Sequence, residues 1–213
     1  MKSQARGGTR WKRFAVVMVP SVGAAAAVTM AIAQGALAAS FSVSGQQFQV
    51  AADHISATGF TQYGAAENPE PDAKDHKPVA VVGISHANIT GLCQAVNVDT
   101  PFGTIGLKLQ AGNKGKKVEA ERLYIDANQM NVNEATFKDI DIGVSSDATT
   151  KGPGKSSGDR KKSVPGSFAQ QAESVEFDGV NQTAWATTAA TFTLPDLDMG
   201  VSLGAKKCEV KPR

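Results

Sequence analysis

The chain has 213 residues, of which 22 are basic, 20 acidic and only 6% aromatic. Five basic residues and no acidic ones lie in residues 1–39, so residues 40–213 carry 17 basic against 20 acidic side chains, a net charge of −3. A mildly acidic body lacks the basic footprint of a nucleic-acid binder. Three scattered histidines and two cysteines have no metal-ligand spacing, so neither a metal nor another cofactor is expected.

The chain begins MKSQARGGTRWKR, continues with twenty uncharged residues, FAVVMVPSVGAAAAVTMAIA, and then reads QGALAAS. A basic start, an apolar run and a small-residue site are the three parts of a secretory signal peptide. The reading is a signal over residues 1–39, cleaved near Ala38 or Ala39, and an exported domain over residues 40–213. The rival is an uncleaved membrane anchor, since twenty residues can span a bilayer. Pro20, Gly23 and the many alanines argue against it. No cysteine follows the apolar run, which disfavours a lipoprotein. The two cysteines, Cys93 and Cys208, lie in the exported part and are expected to form a disulfide.

Beyond the signal, one skeleton recurs four times. It runs apolar, any residue, apolar, Thr or Asp, Gly or Ala: Ile55 to Gly59, Ala87 to Gly91, Leu123 to Ala127 and Val175 to Gly179. Equivalent positions are 32, 36 and 52 residues apart, and each copy is followed by a second β-like run. The expectation is a mostly β single domain of repeated two-strand units, each a short strand, a turn and a longer strand. Such units form a curved sheet or a sandwich. Helices are few and short, one of them a turn or two in GSFAQQAESV (166–175). Mobile loops are expected at about 65–78 and 147–166, where Gly, Ser, Pro and Lys collect.

The phrase FKDIDIGVS (137–145) returns as LPDLDMGVS (194–202). Ile140, Ile142 and Val144, and then Leu197, Met199 and Val201, alternate with Asp and Gly. Period-2 alternation indicates strands with one wet and one buried face. If a curved sheet leaves that apolar face open, these six residues would line a groove for a lipid or other hydrophobic ligand. Asp139, Asp141, Asp196 and Asp198 would meet over a calcium ion only if the two strands were neighbours.

Two stretches invite comparison with catalytic motifs. VVGISHA (81–87) approaches the G-x-S-x-G nucleophile elbow, with Ser85 as a weak catalytic candidate. No helix follows it, and no histidine lies after His86 to complete the order serine, acid, histidine. GPGKSSG (152–158) lacks the first glycine of a phosphate-binding loop, having Thr149 in its place.

In its start MKSQARGGTRWKRFAVVMVPSVGAAAA, in ASFSVSGQQFQV, in LYIDANQ…ATFKDIDIGV and in FAQQAE…VNQTAWATTAATF, the chain resembles an exported protein family of actinomycetes filed as a domain of unknown function. Some members carry the label cholesterol esterase. The resemblance covers nearly the whole chain and implies export, with no catalytic residues to carry over. The expected function is therefore a non-catalytic, disulfide-closed β domain, secreted or held at the cell envelope, that binds a hydrophobic ligand or an envelope protein partner. The alternatives are an esterase or lipid hydrolase using Ser85 and a purely structural surface protein, marked by an exposed apolar edge.

Overall fold

The computed structural model describes residues 46–67, 76–156 and 163–210. The signal segment, its cleavage point and residues 68–75 and 157–162 of the expected loops lie outside them. Among the described residues the strands are β1 (Phe48–Glu67), β2 (Lys77–Thr90), β3 (Leu92–Thr100), β4 (Gly103–Ala111), β5 (Val118–Lys138), β6 (Asp141–Ser145), β7 (Phe168–Thr188), β8 (Thr191–Thr193) and β9 (Asp198–Leu203). They form one antiparallel sheet, so the mostly β reading holds. The short helices do not appear among these residues. GSFAQQAESV, expected to hold a helical turn, leads into β7, because Ala169, Ala172 and Val175 all find buried places along an extended chain.

The nine strands are pieces of four longer ones. β2 and β3 part only at Gly91, and a single register runs on past it along β1. His54 opposes Thr90, and Ala51 opposes Cys93. In the same way β5 and β6 keep one register along β7, and β7 and β8 keep one along β5. The turn between β4 and β5 adds four residues to an otherwise continuous strand. Ile89 and Leu92, three apart, oppose Val118 and Ala111, seven apart.

Four of these strands close on themselves. β1 pairs β2 on one edge and β7 on the other, β2 pairs β5, and β5 pairs β7. A four-stranded ring requires strong coiling, which uninterrupted strands resist. The core positions reveal how it is achieved. In β1 they are Val50, Ala52, Ile55, Ala57 and Phe60; in β2 and β3 they are Val82, Ile84, Ala87, Ile89 and Leu92. The inward series runs by twos and then skips one residue, twice in each strand. Left-handed residues stand at these skips or across from them: Gly59 (φ 68), Gly91 (φ 64), Arg122 (φ 46) and Gly179 (φ 64). Such bulges bend a strand and re-aim its side chains.

The four-fold skeleton thus supplies inward positions of the ring. All eight of its apolar residues, Ile55 and Ala57 through Val175 and Phe177, fall in a single buried cluster. Its glycines are bends inside continuous strands, and the expected turn after each short strand is absent. Glycine is required there because a side chain at Gly91 would collide with the Asp53 carboxylate, and one at Gly179 with the Asn133 amide. The third copy has Ala127, and there the β5–β7 register shifts instead. Phe60, Phe137 and Phe177 fill the ring edge to face, with centroids 5.4 to 6.1 Å apart.

The nine-residue phrase has a related role. Asp139 (φ 51) and Asp196 (φ 52) are both left-handed, a conformation Asp tolerates better than most residues. Each is followed by an edge strand, β6 or β9, and these stand at opposite ends of the strand order. Each bend is tied by a lysine. Lys151 Nζ donates to the Asp139 carbonyl at 2.7 Å, and Lys116 Nζ pairs with Asp196 at 2.9 Å. The phrase recurs because the same bend and edge strand are built twice.

Part of the 147–166 stretch packs on the ring. Thr61 donates to the Pro153 carbonyl, Tyr124 to that of Gly154, and Gly152 lies too close to Phe60 to carry a side chain.

A candidate site on the β3–β4–β9 face

Beyond the closed ring, β3, β4 and β9 continue as a three-stranded sheet. Strand alternation sorts its residues onto two faces. One face consists of three cross-strand rows: Gln94, Leu109 and Met199; Val96, Leu107 and Val201; Val98, Ile105 and Leu203. Eight of the nine are aliphatic. Leu107 is 39% exposed, Met199 69%, Val201 68% and Leu203 79%, so this face is open rather than core. Phe102, at the β3–β4 hairpin tip, is also exposed.

The reverse face is covered by the chain's own tail. Gly204 N donates to the Thr104 carbonyl at 2.7 Å. Asn97 grips the Lys206 backbone from both sides, accepting from its N at 2.7 Å and donating to its carbonyl at 2.9 Å. Val210 N donates to Asn181 Oδ1 at 3.1 Å. Gly106 gives the strap room, since a side chain there would meet Gly204 O and the Lys206 backbone. Cys208 closes the strap through a disulfide to Cys93, across a Cα–Cα distance of 5.7 Å. Both sulfurs are buried beside Ala51 and Ala95. A bonded pair fits an oxidising, extracytoplasmic environment.

Across from the open face stand Phe48, Ala189 and Phe192. Between them and the face lies an open groove of about 940 Å³, at the upper end of the range of small-molecule sites. Phe192 is half-buried, which leaves part of its ring to meet an occupant, whereas Trp185 packs beside Tyr63, Val79, Val81 and Ala169, as Val144 does. The groove forms where β1 begins, so that β3 and the end of β7 no longer have it between them.

The six predicted groove residues divide between two places. Met199 and Val201 line the groove; Leu197 lies just before β9 and is 44% exposed. Ile140, Ile142 and Val144 belong to the β6 end, where β6 pairs with β7 rather than with β9. Val144 packs beside Tyr63, Val79, Val81 and Ala169, and Ile142 is 67% exposed. One groove lined by both phrases is therefore not formed. The expected buried face is also mostly open on both strands, because each is an edge strand and among the described residues no second sheet is laid over it. Sequence reading missed Leu107 and Leu109, although FGTIGLKLQAG alternates visibly, and missed Phe48 and Phe192, which join the site only through the fold.

The four aspartates of the phrase do not converge. Asp141 accepts from Gln171 Nε2 and pairs with Lys151, both at 2.9 Å, and the hydrogen bond from Gln171 foremost holds its carboxyl below the usual range. Lys116, hydrogen-bonded to Asp196, does the same there. Among the described residues no group of three or more His, Cys, Asp or Glu could hold a metal ion. Ser85 lies in mid-strand between β1 and β5, with its hydroxyl over Gly59, so it is not presented at a strand-to-helix turn. The loop at Gly152 to Gly154 turns carbonyls toward Thr61 and Tyr124, which is acceptor chemistry and does not cradle phosphate. On the outer side of β1 and β7, His54 lies between Asp178 at 2.9 Å and Glu176 at 3.0 Å, and Ser56 donates to Glu176.

No curated protein and no solved structure matches the chain. A family model covers residues 44–209, a span that takes in the ring, the β3–β4–β9 sheet and both cysteines. The chain belongs to that family, DUF6230, a family of unknown function.

Proposed function

We propose that the chain is an exported protein that holds a hydrophobic ligand between the β3–β4–β9 face and the Phe48 and Phe192 side chains. The observation that carries this reading is the three-row aliphatic face left open beside a groove of about 940 Å³. A contiguous apolar patch on a protein marks an interaction site, since leaving it in water costs free energy in proportion to its area. Export is supported by the signal-like start of the sequence and by the disulfide, and places the protein in the envelope or the medium. An envelope protein that adds a strand to β9 is the second reading. It is favoured by the position of β9 at the end of the strand order and by the exposure of Met199, Val201 and Leu203. Hydrolysis at Ser85 has no such support.

Native mass spectrometry of the chain, purified without detergent from the organism that exports it, tests the reading. The expected spectrum contains a bound mass of a few hundred daltons that organic solvent removes. Val201→Asp, which places a carboxylate at the middle of the exposed row, should lose it. An apo spectrum for both proteins, with a second polypeptide retained by the parent alone, would favour the strand-adding partner.

A further inference from the structure

We infer that the ligand is an aliphatic chain with an uncharged polar head, of the monoacylglycerol type, rather than a fatty-acid or phospholipid anion. This rests on the hydrophobic-ligand reading above and refines it. Around the groove the one charged residue among those described is Lys108. Its neighbours Leu107 and Leu109 face the groove, so alternation turns Lys108 to the reverse side. Ala95, which opposes Lys108, packs there against Cys93 and Cys208. The positive charge is therefore screened from an occupant by the sheet itself.

What remains polar at the groove is neutral: Gln46, Gln94, Thr187 and Thr188. Amide and hydroxyl groups satisfy the hydroxyls and ester of an uncharged head. A carboxylate or phosphate drawn into the same place would lose water without gaining a cation, a transfer that is strongly unfavourable. The aliphatic rows accept the chain of either ligand equally. Discrimination then comes from the head, and it comes by penalising charge.

Equilibrium binding of radiolabelled lipid to the full chain supplies the readout. The chain is titrated at pH 8, where carboxylates are ionised, with 1-monopalmitoylglycerol and with palmitate, each below its aggregation concentration. The expected result is a Kd for the glyceride at least about tenfold lower than for palmitate. Val201→Lys, at an exposed edge-strand position that tolerates a polar side chain, should reverse that order by supplying the missing cation. Equal or tighter binding of palmitate by the parent chain overturns the inference but leaves a hydrophobic ligand standing. Failure of Val201→Lys to favour palmitate also overturns it. No response to either lipid, with neither retained on gel filtration, overturns the hydrophobic-ligand reading as well.

Discussion

Leu107 lies directly opposite Val201 across the β4–β9 pair, and both side chains stand open to solvent, at 39% and 68%. Cross-strand aliphatic pairs usually stabilise a sheet by packing against each other and against a second layer. Among the described residues no second layer covers the pair, and a groove lies there instead. The pair therefore contributes to what the sheet can bind more than to the stability of the ring.

That division predicts a contrast in stability. Val201→Ser should change the unfolding free energy by less than about 0.5 kcal/mol, as exposed substitutions do. Phe60→Ala, inside the ring where Phe60 is 2% exposed and touches both Phe137 and Phe177, should cost about 3–5 kcal/mol. Urea unfolding measures both. Comparable losses at the two positions would make the β3–β4–β9 face part of the core.

The bends make a second prediction. Gly179→Ala puts a Cβ into the space of the Asn133 side chain and forces Ala into a left-handed conformation. The backbone alone costs roughly 1–2 kcal/mol, and the collision adds to it. Gly143→Ala has a positive φ of 91 but open space around it, so it should show the backbone cost alone. Unfolding curves that rank Gly143→Ala as the more harmful would refute the role given to the bends.

Removal of the disulfide should act on the strap. The bond joins residues 115 apart, and the chain-entropy estimate for such a loop is on the order of 4–5 kcal/mol, an upper figure. A Cys93→Ser, Cys208→Ser double variant should lose up to that amount. It should also exchange the amides of Lys206 and Val210 faster, while the Ile55 and Phe177 amides in the ring keep most of their protection. Hydrogen exchange followed by NMR reads both regions.

The acidic limb of the stability curve has a defined sign. Asp141, Asp147 and Asp196 are all held below the ordinary aspartate value of 3.8 by hydrogen bonds, first from Gln171, Lys155 and Lys116 respectively. A depressed folded value means that the contribution is present above that ordinary value and is lost as pH falls through the lower folded midpoint. All three are solvent-exposed, so each effect is modest. Carboxyl-carbon NMR titration should place the three midpoints below 3.8, and Lys116→Met should return that of Asp196 toward it.

Much of the ring was legible in the sequence, and little of the site. The skeleton from Ile55 to Gly59 and its three counterparts located inward positions of the core, because local alternation decides which residues can face inward together. Its glycines looked like turns because Gly is the usual turn residue. Only the closure of β1 on β7 makes them bends within longer strands. Met199 and Val201 were legible as an apolar stripe. Ile140 and Ile142 have the same pattern, yet pairing places them at the other end of the strand order. Phe48, Leu107 and Phe192 come together through contacts between distant parts of the chain, which no local period encodes. Lys108 illustrates the point on a smaller scale, since its direction follows from register and not from composition.

The most direct measurement is photo-crosslinking of the full chain with a monoacylglycerol whose acyl chain carries a diazirine, followed by peptide mapping. The account predicts label on the β4 and β9 segments, at Leu107, Leu109, Met199 and Val201, reduced by excess unlabelled glyceride and by Val201→Asp. Label concentrated on Ile140 and Ile142, or spread without competition over every exposed apolar residue, would contradict it.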